Sequence, residues 1–476
     1  MTAAANDPAP PDVRVDAALI LGLLIILGAA LRLRGIDTES LWIDEGATWR
    51  QVRGDLLSTI VETSKDTYPP LYNLLALLST KLFGGTEWAL RLPAALLGIL
   101  CIPAAWWLTA QVAGQRAGLI AATITALSAF AIYYSQEARM YSLLMLAGTL
   151  FAGTTIAGIR EWSWPRALAL AGSGLVLLYS HPWGIFSWLA IGGAGGIVLL
   201  SRHAPLSRTL AFAALLLATF LLFLPWALVL VGVSHKLADE GFWIARPSLS
   251  IVVQAMLLVA GGPFALLLLA IGWIMALPPF RRLSALGEER PAVGVPILIA
   301  AAVFPGVAGL VISLVTTPIF FSRYLAGCLP AAIALAALGL ARLATNPRRG
   351  AIVVAVSALA MLPATAAAPT LRHGEDWRGV AAYLKAEMQP GDCLLLARDI
   401  TYDAFKYYRR QPPECFYIDL GKAAEGIPSG ARVFAVLSHT ATTLRTLKNE
   451  LPGDGEWRSA MMSFGSIRVA VRRPAP

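Results

Sequence analysis

Ser40-Leu41-Trp42-Ile43-Asp44-Glu45-Gly46-Ala47 places two adjacent carboxylates just after the first long apolar run, Asp16 to Leu33. Acids at this position are ordinarily read as the start of a helix, where the macrodipole favours negative charge. Here Leu41, Trp42 and Ile43 precede them, and Trp prefers the membrane interface. That flank holds the acids in a half-dry cleft, where a carboxylate is poised to accept a proton. Asp44 is the first candidate base and Glu45 the second.

The case for a membrane comes from composition. The chain has 476 residues, 57% hydrophobic and 14% charged, with a mean hydropathy of +0.65. Soluble domains carry about 25% charged residues, so long segments of this chain need no water-facing side. The net charge of +9 then reflects arginine-rich loops and anionic headgroups, with no nucleic-acid partner. Four cysteines show no metal-ligand spacing. Cys101 and Cys328 lie in apolar runs, whereas Cys393 and Cys415 lie in the polar tail and can pair if that tail is outside the cytoplasm. Met1 to Pro11 lacks a signal-peptide pattern, so the first apolar run is expected to remain as an anchor.

Eleven runs are long enough to span: 16–34, 88–110, 117–133, 141–159, 166–180, 183–200, 209–231, 251–277, 294–317, 324–343 and 351–368. An amphipathic piece near 71–83 lies on the membrane or dips into it. Alternate loops divide by charge. One set holds Arg116, Arg160, Arg166, Arg202, Arg208, Arg281, Arg282, Arg290, Arg348 and Arg349, and the positive-inside rule makes it cytoplasmic. The N-terminus is then cytoplasmic. The loop 35–87 and the tail 370–476 are extracytoplasmic. Asp44, Glu45, Glu137, His181, Arg139, Lys236, Arg246 and Arg323 all fall on that outer side, although they come from separate loops.

Each outer residue has a plain structural reading as well. Glu137 and Arg139, in Tyr133-Tyr134-Ser135-Gln136-Glu137-Ala138-Arg139-Met140-Tyr141, could form a surface pair worth little, but the density of polar and aromatic groups favours a ligand-facing turn. Tyr68-Pro69-Pro70-Leu71-Tyr72 rigidly starts a helix, and Tyr68 and Tyr72 can also wall a site. Arg91 either snorkels or binds phosphate. His181, in Tyr179-Ser180-His181-Pro182-Trp183, reads first as an interfacial residue. Arg323 and Tyr324 stand at the outer end of a span, where a guanidinium suits an anionic headgroup. Lys236 and Arg246 share that possibility. Trp42, Tyr134 and Tyr141 fit sugar stacking.

The tail changes composition sharply. Asp376 to Met388 reads as a helix with Trp377, Val380, Ala381 and Leu384 on one face. Strands are expected at 393–397, 416–418, 433–437 and 466–471, and helices at 402–410 and 440–451. The alternation predicts a small α/β domain with no nucleotide-binding glycine motif.

These stretches together resemble a family. Ser40 to Ala47 is similar to "SLWxDEA", Tyr68 to Tyr72 to "HPPLYY", Glu87 to Leu97 to "ExxLRLPSALFG", and Ser135 to Tyr141 to "SQEARMY". Tyr179 to Gly184 is similar to "YTHYxG", Ser322 to Leu325 to "xRYLL", and Asp376-Trp377-Arg378 with Pro390-Gly391-Asp392 to "DWR…PGD". In this order, over nearly the whole chain, they resemble the bacterial GT-C membrane glycosyltransferases of the glycosyltransferase 39 group. That group is similar to protein O-mannosyltransferases and to the aminoarabinose transferase of lipid A.

The resemblance implies a polytopic α-helical membrane protein of eleven to thirteen spans, with a transmembrane catalytic domain over 1–369 and an extracytoplasmic α/β domain over 370–476. It implies a bacterial inner-membrane enzyme. The donor is a polyprenyl-phosphate monosaccharide and the acceptor a hydroxyl of an envelope lipid, glycan or protein. Asp44 deprotonates or orients the acceptor hydroxyl, as the base of an inverting displacement, and Glu137 binds the acceptor or assists the base. Arg139, Arg323 and Arg91 stabilise the phosphate. Tyr68 replaces the histidine of "HPP", which removes an imidazole from that point; no metal-ligand set is evident, although some GT-C enzymes use a divalent metal. Gly46 replaces a common Ala.

A lipid-linked oligosaccharide ligase or polymerase is the nearest alternative. A secondary transporter would need ionisable residues near span centres and inverted repeats, and neither is evident.

Overall fold

The structure, a computed structural model, describes residues 17–240, 244–277, 289–367, 374–428, 430–451, 456–458 and 461–473. Each of the eleven apolar runs falls on a helix or a helix leg. The helices are α1 (Ala17–Leu33), α2 (Ile43–Gln51), α3 (Leu56–Thr63), α4 (Leu71–Phe83), α5 (Glu87–Leu127), α6 (Ala129–Ser135), α7 (Tyr141–Arg160) and α8 (Trp164–Leu178). Then come α9 (Gly184–Ser201), α10 (Leu206–Glu240), α11 (Leu249–Ala260), α12 (Pro263–Ala276), α13 (Glu289–Val315), α14 (Leu329–Ala341) and α15 (Pro347–Ala367). Among the described residues six helices are long and apolar enough to cross a membrane, and the bent pair α11–α12 counts as a seventh.

Two of these elements depart from simple spans. Helix α5 has 41 residues; straight, it would run roughly 60 Å, twice the hydrocarbon thickness. It turns back at Gly114, whose φ of 83° is open to glycine. The legs then pack: a Cβ on Gly118 would stand 2.8 Å from the Trp106 carbonyl oxygen. The run 251–277, expected as one span, is instead two helices bent by 86°. The break is Gly261-Gly262, with φ of 91° and 102°, followed by Pro263. Helix α12 then lies against α14 so closely that a Cβ on Gly339 would clash with the Gly272 carbonyl, the small-residue packing that membrane helices use.

Arginines seat the ends of this bundle. Arg116 donates to the Ala344 carbonyl, Arg160 to Gln111, Arg208 to Gly158 and Arg342 to Met275. Each carbonyl lies at or just past a helix C-terminus, where cations are favoured. Arg281 and Arg282 lie outside the described residues. Arg32, which the sequence did not single out, is buried and caps the other end through the Thr125 and Ala126 carbonyls.

The tail forms a five-stranded sheet in the order β2-β1-β3-β5-β4. The strands are β1 (Cys393–Leu396), β2 (Cys415–Ile418), β3 (Val433–Leu437), β4 (Met462–Phe464) and β5 (Ile467–Arg472). β2, β1 and β3 are parallel, and β5 and β4 run antiparallel. The parallel strands require crossovers, supplied by α17 (Tyr402–Tyr408) after α16 (Trp377–Glu387), and by α18 (Leu420–Gly426); α19 (Leu444–Glu450) follows β3. Trp377, Val380, Ala381 and Leu384 are buried, as their spacing predicts. Cys393 and Cys415, register partners on β1 and β2, form a disulfide. Helix α18 and strand β4 lie where no element was expected.

Candidate active site

Trp42 is the N-cap of helix α2, so Asp44 and Glu45 both stand in its first turn. Neighbours on a helix point about 100° apart, and the two acids accordingly meet different partners. Glu45 is fully buried. It accepts from Arg91 Nε at 2.7 Å and Nη2 at 2.5 Å, from the Ala138 N–H at 2.7 Å and from the Trp42 N–H at 3.4 Å. Arg91 spends its other donors on the carbonyls of Ile36, Glu39 and Ser40. The pair ties the first loop to α5, and Arg91 has no donor left for a phosphate.

Asp44 faces the opposite wall. Its Oδ2 lies 3.0 Å from Arg323 Nη1, with the Asp44 side chain 22% exposed. Arg323 stands in a 3-10 turn, Ser322–Gly327, among the rings of Trp42, Phe321, Tyr141 and Tyr324 at 5.0–5.9 Å. Arg139 donates to the Asp44 carbonyl and to Thr48 Oγ1, both at 3.2 Å, and lies 4.5 Å over the Tyr68 ring. His181 is buried against Tyr68, Tyr141 and Tyr324 at 5.1–5.7 Å. Its Nδ1 accepts the Trp183 N–H at 2.9 Å. Burial, with the charges of Arg139 and Arg323, holds the imidazole well below its usual pKa and therefore neutral. Tyr134 adjoins through Tyr141, their rings 4.8 Å apart.

Eight predicted residues thus meet in one cluster: Asp44, Arg139, Arg323, Trp42, Tyr68, Tyr141, His181 and Tyr324. Others are placed elsewhere. The Tyr72 hydroxyl donates to the Leu90 carbonyl inside the α4–α5 interface. Glu137 lines a small polar cavity with Glu39, Tyr133, Gln136 and Glu375. Arg246 is exposed, and the side chain of Lys236 lies outside the described residues. Thr48 was missed; it carries no signal except its position one turn beyond Asp44.

Apolar space lies beside the cluster. A cavity of about 610 Å³ runs between α11, α12, α13 and α14, and Phe320 and Leu325, beside Arg323, line it. A second, of about 320 Å³, is lined by Tyr133 and Tyr134 and by Gly261 and Gly262 at the α11–α12 break. Among the described residues no group of three His, Cys, Asp or Glu side chains is placed to share a metal ion.

Comparisons with known proteins agree with this architecture. Residues 67–229 match the family described as dolichyl-phosphate-mannose-protein mannosyltransferase. The fold is similar to that of ArnT from Cupriavidus metallidurans bound to undecaprenyl phosphate, with a TM-score of 0.60 and 16% identity over 96% of this chain and 97% of that one. The apo form of the same protein gives a TM-score of 0.62. The archaeal oligosaccharyltransferase AglB from Archaeoglobus fulgidus, in complex with an inhibitory peptide and a dolichol-phosphate, has a TM-score of 0.59 and 12% identity over 88% of this chain and 69% of that one. No curated protein sequence matches the chain.

Proposed function

We propose, for a chain that is a GT-C membrane glycosyltransferase of the protein mannosyltransferase and aminoarabinose transferase type, that it moves a monosaccharide from a polyprenyl-phosphate donor to a hydroxyl of an envelope lipid, glycan or protein. The observation that carries this reading is the Arg323–Asp44 pair, 3.0 Å across, beside an apolar cavity. A prenyl chain suits that cavity, and its phosphate would then meet the guanidinium.

Asp44 takes the proton of the acceptor hydroxyl as its oxygen attacks the anomeric carbon. The bond from that carbon to the phosphate oxygen breaks with inversion, and the electron pair leaves on the phosphate. Phosphate leaves without a general acid, so the need is for fixed positive charge where negative charge grows. Arg323 and Arg139 suit that role. Arrival of the phosphate gives Arg323 a second anionic partner and loosens its hold on Asp44. A divalent metal does not fit these residues: Asp44 and Glu45 each already face a guanidinium.

The site faces the outer side of a bacterial plasma membrane and the N-terminus the cytoplasm. The tail disulfide supports this, since such bonds persist in oxidising compartments, as does the arginine bias of the opposite loops. The test is transfer in membranes supplied with radiolabelled polyprenyl-phosphate sugars, comparing wild type with Asp44→Asn at matched expression. Labelling of an envelope acceptor by wild type alone is expected. Equal labelling by both would remove Asp44 as the base.

A further inference from the structure

We propose that Asp66 is a positioning residue for transfer: through Gln51 it fixes the turn that carries Tyr68, and so aims Arg139 at the donor phosphate. This rests on the transferase reading above and adds to it a residue outside the cluster. Both oxygens of the Asp66 carboxylate are engaged. Oδ1 accepts from the Thr67 N–H at 2.7 Å, and Oδ2 accepts from Gln51 Nε2 at 2.9 Å. Gln51 Oε1 accepts in turn from Asn73 Nδ2 at 2.7 Å, and the same Asn73 nitrogen donates to Thr63 Oγ1 at 2.8 Å. The Asp66 N–H donates to the Thr63 carbonyl at 2.9 Å. Gln51, Thr63 and Asn73 are buried. These bonds join α2, the end of α3, the turn before α4 and α4 itself. A buried polar network whose members are satisfied rigidifies the elements it links.

Position turns this scaffold toward the site. Asp44, Thr48 and Gln51 are spaced i, i+4 and i+7 along α2, which puts them on one stripe. Arg139 bridges the first two, through the Asp44 carbonyl and Thr48 Oγ1. Gln51, at the next turn, holds Asp66. Two residues further on, Tyr68 offers its ring to Arg139 at 4.5 Å. Pro69 and Pro70 follow; they have no N–H to anchor the turn and a fixed φ, so the ring is oriented from the Asp66 side. Lys65 and Arg50, the basic residues next to Asp66 and Gln51, pair with Glu62 and Asp403 instead. Burial disfavours the charged form of Arg139, whereas Asp44, Tyr68, Tyr141 and Asp66 favour it and prevail. Arg139 thus keeps its charge for the phosphate.

The experiment uses the full chain in lipid nanodiscs. It reads the Kd for undecaprenyl phosphate and kcat/KM for a short-chain polyprenyl-phosphate hexose. Asp66→Ala and Gln51→Met should each lower kcat/KM by about tenfold or more, since small misplacements of a positioned group cost up to about 10²-fold, and weaken Kd in step. Asp66→Asn should recover most of both losses, because its amide can donate to Gln51 once the Gln51 and Asn73 amides turn over. In an Arg139→Ala background, Asp66→Ala should cost less than about threefold, since the two residues act as a unit. A merely structural role would lower Tm while the folded protein keeps its Kd, or would add its full loss to that of Arg139→Ala. Either result, or an Asp66→Asn as poor as Asp66→Ala, would overturn the proposal and leave the transferase reading standing. A wild type that transfers no hexose would overturn the transferase reading, and the Kd comparison would still decide the role of Asp66.

Discussion

Gly46 lies against the backbone of Ala404: a Cβ built on it would stand 2.5 Å from the Ala404 nitrogen and 2.8 Å from its Cα. The contact joins helix α2, which carries Asp44, to the tail helix α17. Arg50 bonds Asp403 at 2.8 Å beside it, the Leu41 N–H donates to the Tyr408 hydroxyl at 2.7 Å, and Trp49 packs edge-on to Tyr407. The tail thereby braces the turn that presents Asp44. Gly46→Ala must push backbone apart, an overpacking that costs about 1–3 kcal/mol. The expected result is faster proteolysis of the tail and a fall of about tenfold or more in kcat, measured by transfer assay and limited digestion. Unchanged rates in both would show that the contact is yielding.

Asp44 and Arg323 act as one unit in the proposed displacement. Asp44→Asn should lower kcat by about 10²–10⁴-fold, the range of a positioned general base. Arg323→Ala should lower it comparably, since it removes both the partner of Asp44 and the charge opposite the phosphate. The double variant should be little worse than either single one, because residues working together are non-additive. Additive losses in steady-state transfer would separate their roles.

Glu45 and Arg91 are expected to behave differently. Their pair is buried, at 1% and 4% side-chain exposure, and breaking one side of such a pair costs about 3–5 kcal/mol. Glu45→Gln and Arg91→Ala should therefore lower Tm and yield in detergent. Any protein that survives should retain a kcat much closer to wild type than Asp44→Asn does. A stable Glu45→Gln enzyme with no turnover would return Glu45 to the chemistry.

Much of this was legible in the sequence, for identifiable reasons. Apolar length marked a helix at each of the eleven runs, of which six, or seven with the bent pair, are long and apolar enough to cross a membrane among the described residues, and the arginine bias gathered Asp44, Arg139, His181 and Arg323 onto one side. The separate roles of Asp44 and Glu45 were not legible. Adjacency in sequence suggests a pair, whereas helical rotation sends one to Arg323 and the other to Arg91. The Gly-Gly-Pro at 261–263 was a visible breaker inside a run read as continuous. Gly46 looked like a minor departure because its cause, Ala404, lies more than 350 residues away. Long-range docking of this kind leaves no local pattern.

The disulfide closes the segment that carries α17. Cys393 and Cys415 are 22 residues apart, and Asp403, Ala404, Tyr407 and Tyr408 lie between them. A loop of that size restrains the unfolded chain by roughly 3 kcal/mol. Cys415→Ser, or reduction of the wild type, should loosen α17 and lower transfer, with free-thiol labelling tracking the loss. Full activity with both thiols labelled would show that the sheet alone holds α17 in place.

His181 supplies a pH signature. Its folded-state pKa is lowered by burial and by Arg139 and Arg323, so the neutral ring is the native one. A depressed histidine pKa means that the unfolded chain binds the proton more readily. The stability this group contributes is present above its unfolded pKa of about 6.5 and is lost as pH falls below it. Wild-type Tm, measured in nanodiscs from pH 8 to about pH 5, should drop on the acid side. His181→Asn should start lower and fall less steeply over the same interval, because its side chain takes up no proton. The pH dependence of kcat should show no histidine limb near neutrality, since His181 is neutral throughout that range. Parallel Tm curves for the two proteins would mean that the ring is already free to protonate in the folded state.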